Sequence, residues 1–126
     1  IKKLIKKYNI KKNCILGHSD ISPDRKKDPG EKFPWKILYI NGIGLWHSIN
    51  CKKLLNLRRK KVSNIEENMF NKKLREFGYP AIGFIVKNKK KYNKLLIKAF
   101  QRRFRPELVS GKIDKECLLI LKNINR

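Results

Sequence analysis

Three side chains, at positions 18, 26 and 28, carry the most distinctive chemistry in this sequence. His18 offers an imidazole nitrogen, Asp28 a carboxylate ten residues on, and Lys26 an ammonium group two residues before that carboxylate. Neutral imidazole and carboxylate are both zinc donors, and catalytic zinc sites take three protein ligands and leave a fourth position for water. A cation beside such a metal can stabilise the negative charge that develops on a carbonyl oxygen under attack. The spacing alone leaves a second reading open, because a histidine beside a strand is more often a structural or surface residue. The other histidine, His47, follows Trp46 and reads as a surface or partly buried neutral imidazole rather than a ligand.

The elements around these residues must deliver them. The apolar run Cys14-Ile15-Leu16 reads as a short buried strand that feeds His18 into a polar loop. That loop closes at Asp28-Pro29-Gly30, where Asp accepts local backbone hydrogen bonds, Pro fixes φ and Gly permits a positive φ. Asp20 follows His18 in a tight segment and is expected to hold backbone amides rather than to react. Upstream, Ile1, Leu4, Ile5 and Tyr8 recur at helical spacing, with lysines on the other face and Asn9 able to end the helix. Downstream, Pro34 opens a short helix over 35–40 that stops at Asn41-Gly42. Trp35, Leu38 and Tyr39 share one face of it. Phe33 and Trp35 fit core packing better than the wall of a groove.

Residues 48–61, with Arg58-Arg59-Lys60-Lys61, read as a solvated connector, and a boundary falls near Val62. Ser63-Asn64-Ile65-Glu66 is a capping-box pattern that starts a helix to about Phe77, with Ile65, Met69, Leu74 and Phe77 inward. Gly78 and Pro80 end it. Tyr92, Leu95, Leu96, Ala99, Phe100 and Phe104 give the clearest helical period in the chain, over 89–104. Asp114 then caps a third helix to about Ile124, with Cys117, Leu118, Leu121 and Ile124 inward.

The 126 residues suffice for one ordinary domain or two small ones. Lys and Arg number 33 against 10 Asp and Glu, a formal charge of +23. Such a charge invites a nucleic-acid reading. The cations are spread over the whole length, however, among many Ile and Asn residues, as an AT-rich coding sequence would give. The positive field also favours anionic wall polymers or membranes by long-range attraction. Cys14, Cys51 and Cys117 are too widely spaced for a cysteine metal site or a disulfide framework, and Cys14 and Cys117 read as buried small hydrophobes. No apolar run is long enough to span a membrane.

The segment Ile15-Leu16-Gly17-His18-Ser19-Asp20-Ile21-Ser22-Pro23, continuing through Arg25-Lys26-Lys27-Asp28-Pro29-Gly30, Phe33-Pro34-Trp35 and Gly42-Ile43-Gly44-Leu45-Trp46, resembles the zinc-dependent N-acetylmuramoyl-L-alanine amidases of type 2, the AmpD/AmiD-like family. The resemblance implies Zn2+ as cofactor, with His18 and Asp28 as metal ligands and Lys26 as a catalytic residue that stabilises the reacting carbonyl. It implies an α/β fold for residues 1–61, the C-terminal portion of an amidase domain with a mixed sheet and flanking helices. Residues 62–126 resemble a small all-α, three-helix peptidoglycan-binding domain through Phe77-Gly78-Tyr79, Ala99-Phe100-Gln101 and Gly111-Lys112-Ile113-Asp114. The family draws a further zinc histidine and a general acid/base from residues for which this sequence has no counterpart. The 126 residues alone are therefore expected to have little amidase activity.

The implied reaction is hydrolysis of the amide between N-acetylmuramic acid and L-alanine in peptidoglycan or released muropeptides. The implied partner is that substrate, with no specific nucleic acid. The implied location is the bacterial cell envelope, with the cytoplasm as the other option. Two rival readings are a non-catalytic wall-binding remnant of such an amidase and a basic nucleic-acid-binding protein.

Overall fold

Apolar side chains spaced along one stripe make residues 89–104 the longest of the described helices. In the computed structural model, which describes residues 1–80 and 87–124, this is α6 (Lys89–Phe104). Before it come α1 (Lys2–Lys7), a 3-10 turn (Lys12–Cys14), α2 (His18–Ile21), α3 (Trp35–Ile40), α4 (Cys51–Leu57) and α5 (Asn64–Phe77). After it comes α7 (Lys115–Ile124). Asn88 starts α6 by accepting the Lys91 N–H at 2.9 Å. The capping box of α5 is present: Ser63 Oγ accepts the Glu66 N–H at 3.3 Å and Glu66 Oε2 accepts the Ser63 N–H at 2.8 Å. Gly78 closes the same helix at φ +118°, a left-handed conformation that costs a residue with a Cβ. Asp114 Oδ1 accepts the Cys117 N–H at 3.0 Å and starts α7.

The core forms where α4 and α5 pack on α7 and against α6. Phe70 and Leu74 of α5, Leu96, Phe100 and Phe104 of α6, and Cys117, Ile120 and Leu121 of α7 are buried together, with Leu54 of α4 in the same cluster. Trp46 and Ile49 pack against it from the connecting chain. Burial pushes the Cys117 thiol up to about 12. Gln101, fully buried, holds the following turn by donating to Lys112 O and accepting the Gly111 N–H, both at 2.8 Å.

Four expectations are corrected. The α/β domain with a mixed sheet is absent: among the described residues every regular element is a helix. The residues expected as a strand explain why. Cys14 closes a 3-10 turn onto Lys11 O at 2.9 Å, and the extended Ile15 gives its carbonyl to the Arg103 guanidinium at 2.7 Å rather than to a neighbouring strand. Cys14 is exposed, not buried. Ile65 is 81% exposed, because the inward stripe of α5 passes through Phe70 and Leu74. The basic connector is not simply solvated. Arg58 donates to both carboxylate oxygens of buried Glu116 at 2.8 Å, the Arg59 N–H donates to Asp114 Oδ2 at 3.0 Å, and Lys60 O accepts the Lys115 N–H at 3.1 Å.

Asp114 also accepts from the Arg105 guanidinium. Burial pushes its carboxyl up, but the Cys117 and Arg59 amides and the Arg105 charge outweigh that and leave it below its ordinary value. The stability it contributes is therefore complete above its unfolded pKa of about 3.9 and is lost as pH falls through the folded value. An Asp114→Asn variant should show a flatter loss of urea resistance than the wild type as pH is lowered below about 4. Parallel pH profiles would contradict this.

Candidate functional site

His18 is the first residue of α2, and its neighbours are fixed by short-range bonds. The Gly17 N–H donates to Asp20 Oδ2 at 2.9 Å, and the Asp20 N–H donates to Gly17 O at 3.1 Å. Gly17 is required by close approach: a Cβ there would stand 2.4 Å from Cδ of Pro29 and 3.4 Å from the Trp35 ring. The chain runs out through Pro23 and returns at Asp28. There the Ser19 N–H donates to Asp28 O at 2.9 Å, and the cis Asp28–Pro29 bond leads into the turn.

This return brings His18 Nδ1 into direct hydrogen-bond contact with Asp28 Oδ2. The two side chains are 71% and 60% exposed, so the pair is open to solvent. The His18 imidazole holds the Asp28 carboxyl below its ordinary value, and the Lys26 charge acts in the same direction. Lys26 is exposed on the turn after α2, where its N–H donates to Ser22 O at 2.9 Å. The structure thus brings His18 and Asp28 together, with Lys26 close enough for its charge to act on the carboxylate. A nitrogen and an oxygen donor converging at an open surface fit two positions of a zinc site. Among the described residues no group of three His, Cys, Asp or Glu forms one.

Behind this pair lies a buried cluster of which the sequence reading identified only Asp20. Asp20 is 4% exposed; its Oδ2 also accepts from Arg103 Nη1 at 2.6 Å, and its Oδ1 accepts from the Tyr79 hydroxyl at 2.6 Å. Burial, with the Asp20 charge, pushes the Tyr79 hydroxyl well above its ordinary value. The Arg103 guanidinium also stacks 4.3 Å from the Trp35 ring centroid. A signal for Arg103 exists in the sequence: it lies seven residues after Leu96 and three after Phe100, on the inward stripe of α6, where a charge must find a partner.

His47 is half-buried, stacked on Trp46 with ring centroids 5.0 Å apart, and lines a cleft with Arg58, Phe104 and Glu116. Burial lowers its pKa, as expected of a neutral imidazole. Trp35 is buried, while Phe33 stays 40% exposed with its ring 4.7 Å from that of Trp35.

No family model matches the chain. It is 32% identical over 119 residues to the N-acetylmuramoyl-L-alanine amidase AmiD of Escherichia coli strain K12, covering 94% of this chain and 42% of that protein. The structure resembles E. coli AmiD bound to anhydro-N-acetylmuramic acid-L-Ala-D-γ-Glu-L-Lys, with a TM-score of 0.79 and 30% identity, over 98% of this chain and 47% of that one. It also resembles AmpDh3 of Pseudomonas aeruginosa in complex with anhydromuramic pentapeptide, with a TM-score of 0.76 and 33% identity, over 98% and 48%. The chain thus spans less than half the length of these relatives. Over that span it is homologous to N-acetylmuramoyl-L-alanine amidases of the AmiD/AmpD type.

Proposed function

We propose that these residues form part of a zinc-dependent N-acetylmuramoyl-L-alanine amidase, in which His18 and Asp28 hold the metal and Lys26 assists the reaction. The observation that carries the reading is the convergence of His18 and Asp28, in a chain homologous to an amidase solved with a muropeptide. Zinc, when bound, acts as a Lewis acid that activates water and polarises the amide carbonyl. His18 contributes an imidazole nitrogen. Asp28 contributes a carboxylate, ionised at neutral pH as any ordinary aspartate is, and its surroundings lower its pKa further. Lys26 contributes a charge on the turn beside them, suited to the carbonyl oxygen as negative charge develops there.

The substrate class is an N-acetylmuramoyl peptide, intact wall or released anhydro-muropeptide, and this implies work in the bacterial cell envelope. No described helix is long and apolar enough to cross a membrane. A second reading, wall adhesion without catalysis, assigns residues 62–126 to a peptidoglycan-binding-like three-helix unit. It is supported by a groove of about 470 Å³ at the start of α7, where Lys112 of that unit meets Arg59, Lys60 and Lys61 of the connector that precedes it, and these charges suit the carboxylates of stem peptides.

The test is calorimetric titration with Zn2+, followed by mass spectrometry of anhydro-muropeptide incubated with the zinc-loaded protein. With two donors among the described residues, the 126 residues are expected to bind Zn2+ weakly and to release little free peptide. His18→Ala and Asp28→Ala should each remove the binding, a loss of at least about tenfold. Zinc binding indifferent to both substitutions would refute the ligand assignment. If His18→Ala leaves co-sedimentation with sacculi intact while zinc binding is absent from the wild type, adhesion is the better reading.

A further inference from the structure

We propose that Arg103, at the end of α6, is a positioning residue that holds His18 and Asp28 in register. This rests on the zinc reading above for its consequence, though not for its geometry. One guanidinium reaches both sides of the His18 segment. Its Nη1 donates to Asp20 Oδ2 at 2.6 Å, two residues after His18, and its Nη2 donates to Ile15 O at 2.7 Å, three residues before it. Its plane covers Trp35, whose ring in turn backs Gly17. Arg103 is 2% exposed and Asp20 4%, so water does not compete for these bonds.

The hold passes from Asp20 to both proposed ligands. Asp20 Oδ2 fixes the Gly17 N–H, which sets the start of the helical turn that carries His18. Gly17 lies tight against Pro29, the residue after Asp28. The Ser19 N–H, between His18 and Asp20, donates to the Asp28 carbonyl oxygen. Arg103 therefore spans the base of the loop, and a loop anchored at its base can present His18 and Asp28 from an exposed surface without either being buried. A lysine could not replace it, since one ammonium does not reproduce the planar fork that serves a carboxylate and a carbonyl while stacking on an indole. Tyr79, whose hydroxyl occupies the remaining Asp20 oxygen, completes the arrangement.

The experiment compares Arg103→Met, Arg103→Lys and Tyr79→Phe with Arg58→Met, which disrupts a different arginine–carboxylate pair, that with Glu116. Amide hydrogen exchange at Gly17 and Ser19 is read in each, below its own unfolding transition, together with Zn2+ affinity. The expected result is exchange at Gly17 and Ser19 on the order of tenfold faster in both Arg103 variants than in Arg58→Met, with a smaller rise in Tyr79→Phe. Zn2+ affinity should fall in the same order. Unchanged exchange at these two amides, or an equal rise in Arg58→Met, overturns the proposal. Should Arg103→Met not fold, Arg103→Lys and Tyr79→Phe carry the comparison, because each keeps a cation beside the buried Asp20 carboxylate. Absence of His18-dependent Zn2+ binding in the wild type would defeat the zinc reading alone, while the exchange rates would still decide the role of Arg103.

Discussion

Glu116→Ala is expected to destabilise the fold by about 3–5 kcal/mol, the usual consequence of removing one partner from a buried ion pair. Glu116 is fully buried at the first turn of α7. Its carboxylate takes two parallel bonds from Arg58 at 2.8 Å and a third from Arg105 Nη1 at 3.1 Å. Arg105 is itself 1% exposed and among the described residues has Asp114 as its other side-chain acceptor, with its Nε and Nη2 already unbonded there. Alanine would leave Arg105 with Asp114 alone and Arg58 with only the long 3.8 Å contact to exposed Glu107, and would open a space beside Leu54. Glu116→Gln keeps the shape and one acceptor, so it should cost less. Arg58→Met combined with Glu116→Met should cost less than Glu116→Ala, because charges on both sides are removed together. Urea unfolding followed by circular dichroism measures all three. A Glu116→Ala loss below about 1 kcal/mol would mean that water reaches and solvates the cluster, contrary to its burial.

This cluster also shows where the sequence was legible and where it was not. The three long helices lie where capping and period placed them, since Ser63, Gly78 and Asp114 act through bonds within a few residues. The loop that joins His18 to Asp28 is similarly local, and Asp-Pro-Gly marks its end. The failures concern partners remote in sequence. Arg58 was read as solvated because its neighbours are basic, yet its acceptor stands 58 residues away. Cys14-Ile15-Leu16 has the composition of a strand, but a strand is defined by a neighbour, and here Ile15 is bonded by a side chain 88 residues on. The same holds for Arg103, and for Tyr79, which the sequence marks as part of Phe77-Gly78-Tyr79 but not as a partner of Asp20. Their role depends on Asp20, which reads as a local cap until the distant groups arrive at its other lone pairs.

Phe100→Ala is expected to cost about 3–5 kcal/mol, the range for deleting a large aromatic from a packed core, and the loss should be felt at both ends of the molecule. Phe100 is fully buried at the centre of α6. It meets Phe70 of α5 edge-on with centroids 5.3 Å apart, lies 5.2 Å from Phe104, and backs Tyr79 at 6.4 Å. Tyr79 passes that support to Asp20, and Phe104 passes it to Trp46 at 6.0 Å. The chain offers a convenient pair of probes, because both tryptophans, Trp35 and Trp46, precede residue 62, whereas most of the helix lies after it. If residues 62–126 unfold as an independent unit, tryptophan fluorescence and far-ultraviolet dichroism will show separate transitions, and Phe100→Ala will move the second far more than the first. If the shared core and the Asp20–Arg103–Tyr79 bonds make one cooperative body, the two probes will coincide in the wild type and move together in the variant. The second outcome is the expected one. A buried ion pair and a continuous aromatic row join the two parts, so neither can open without stranding a charge of the other.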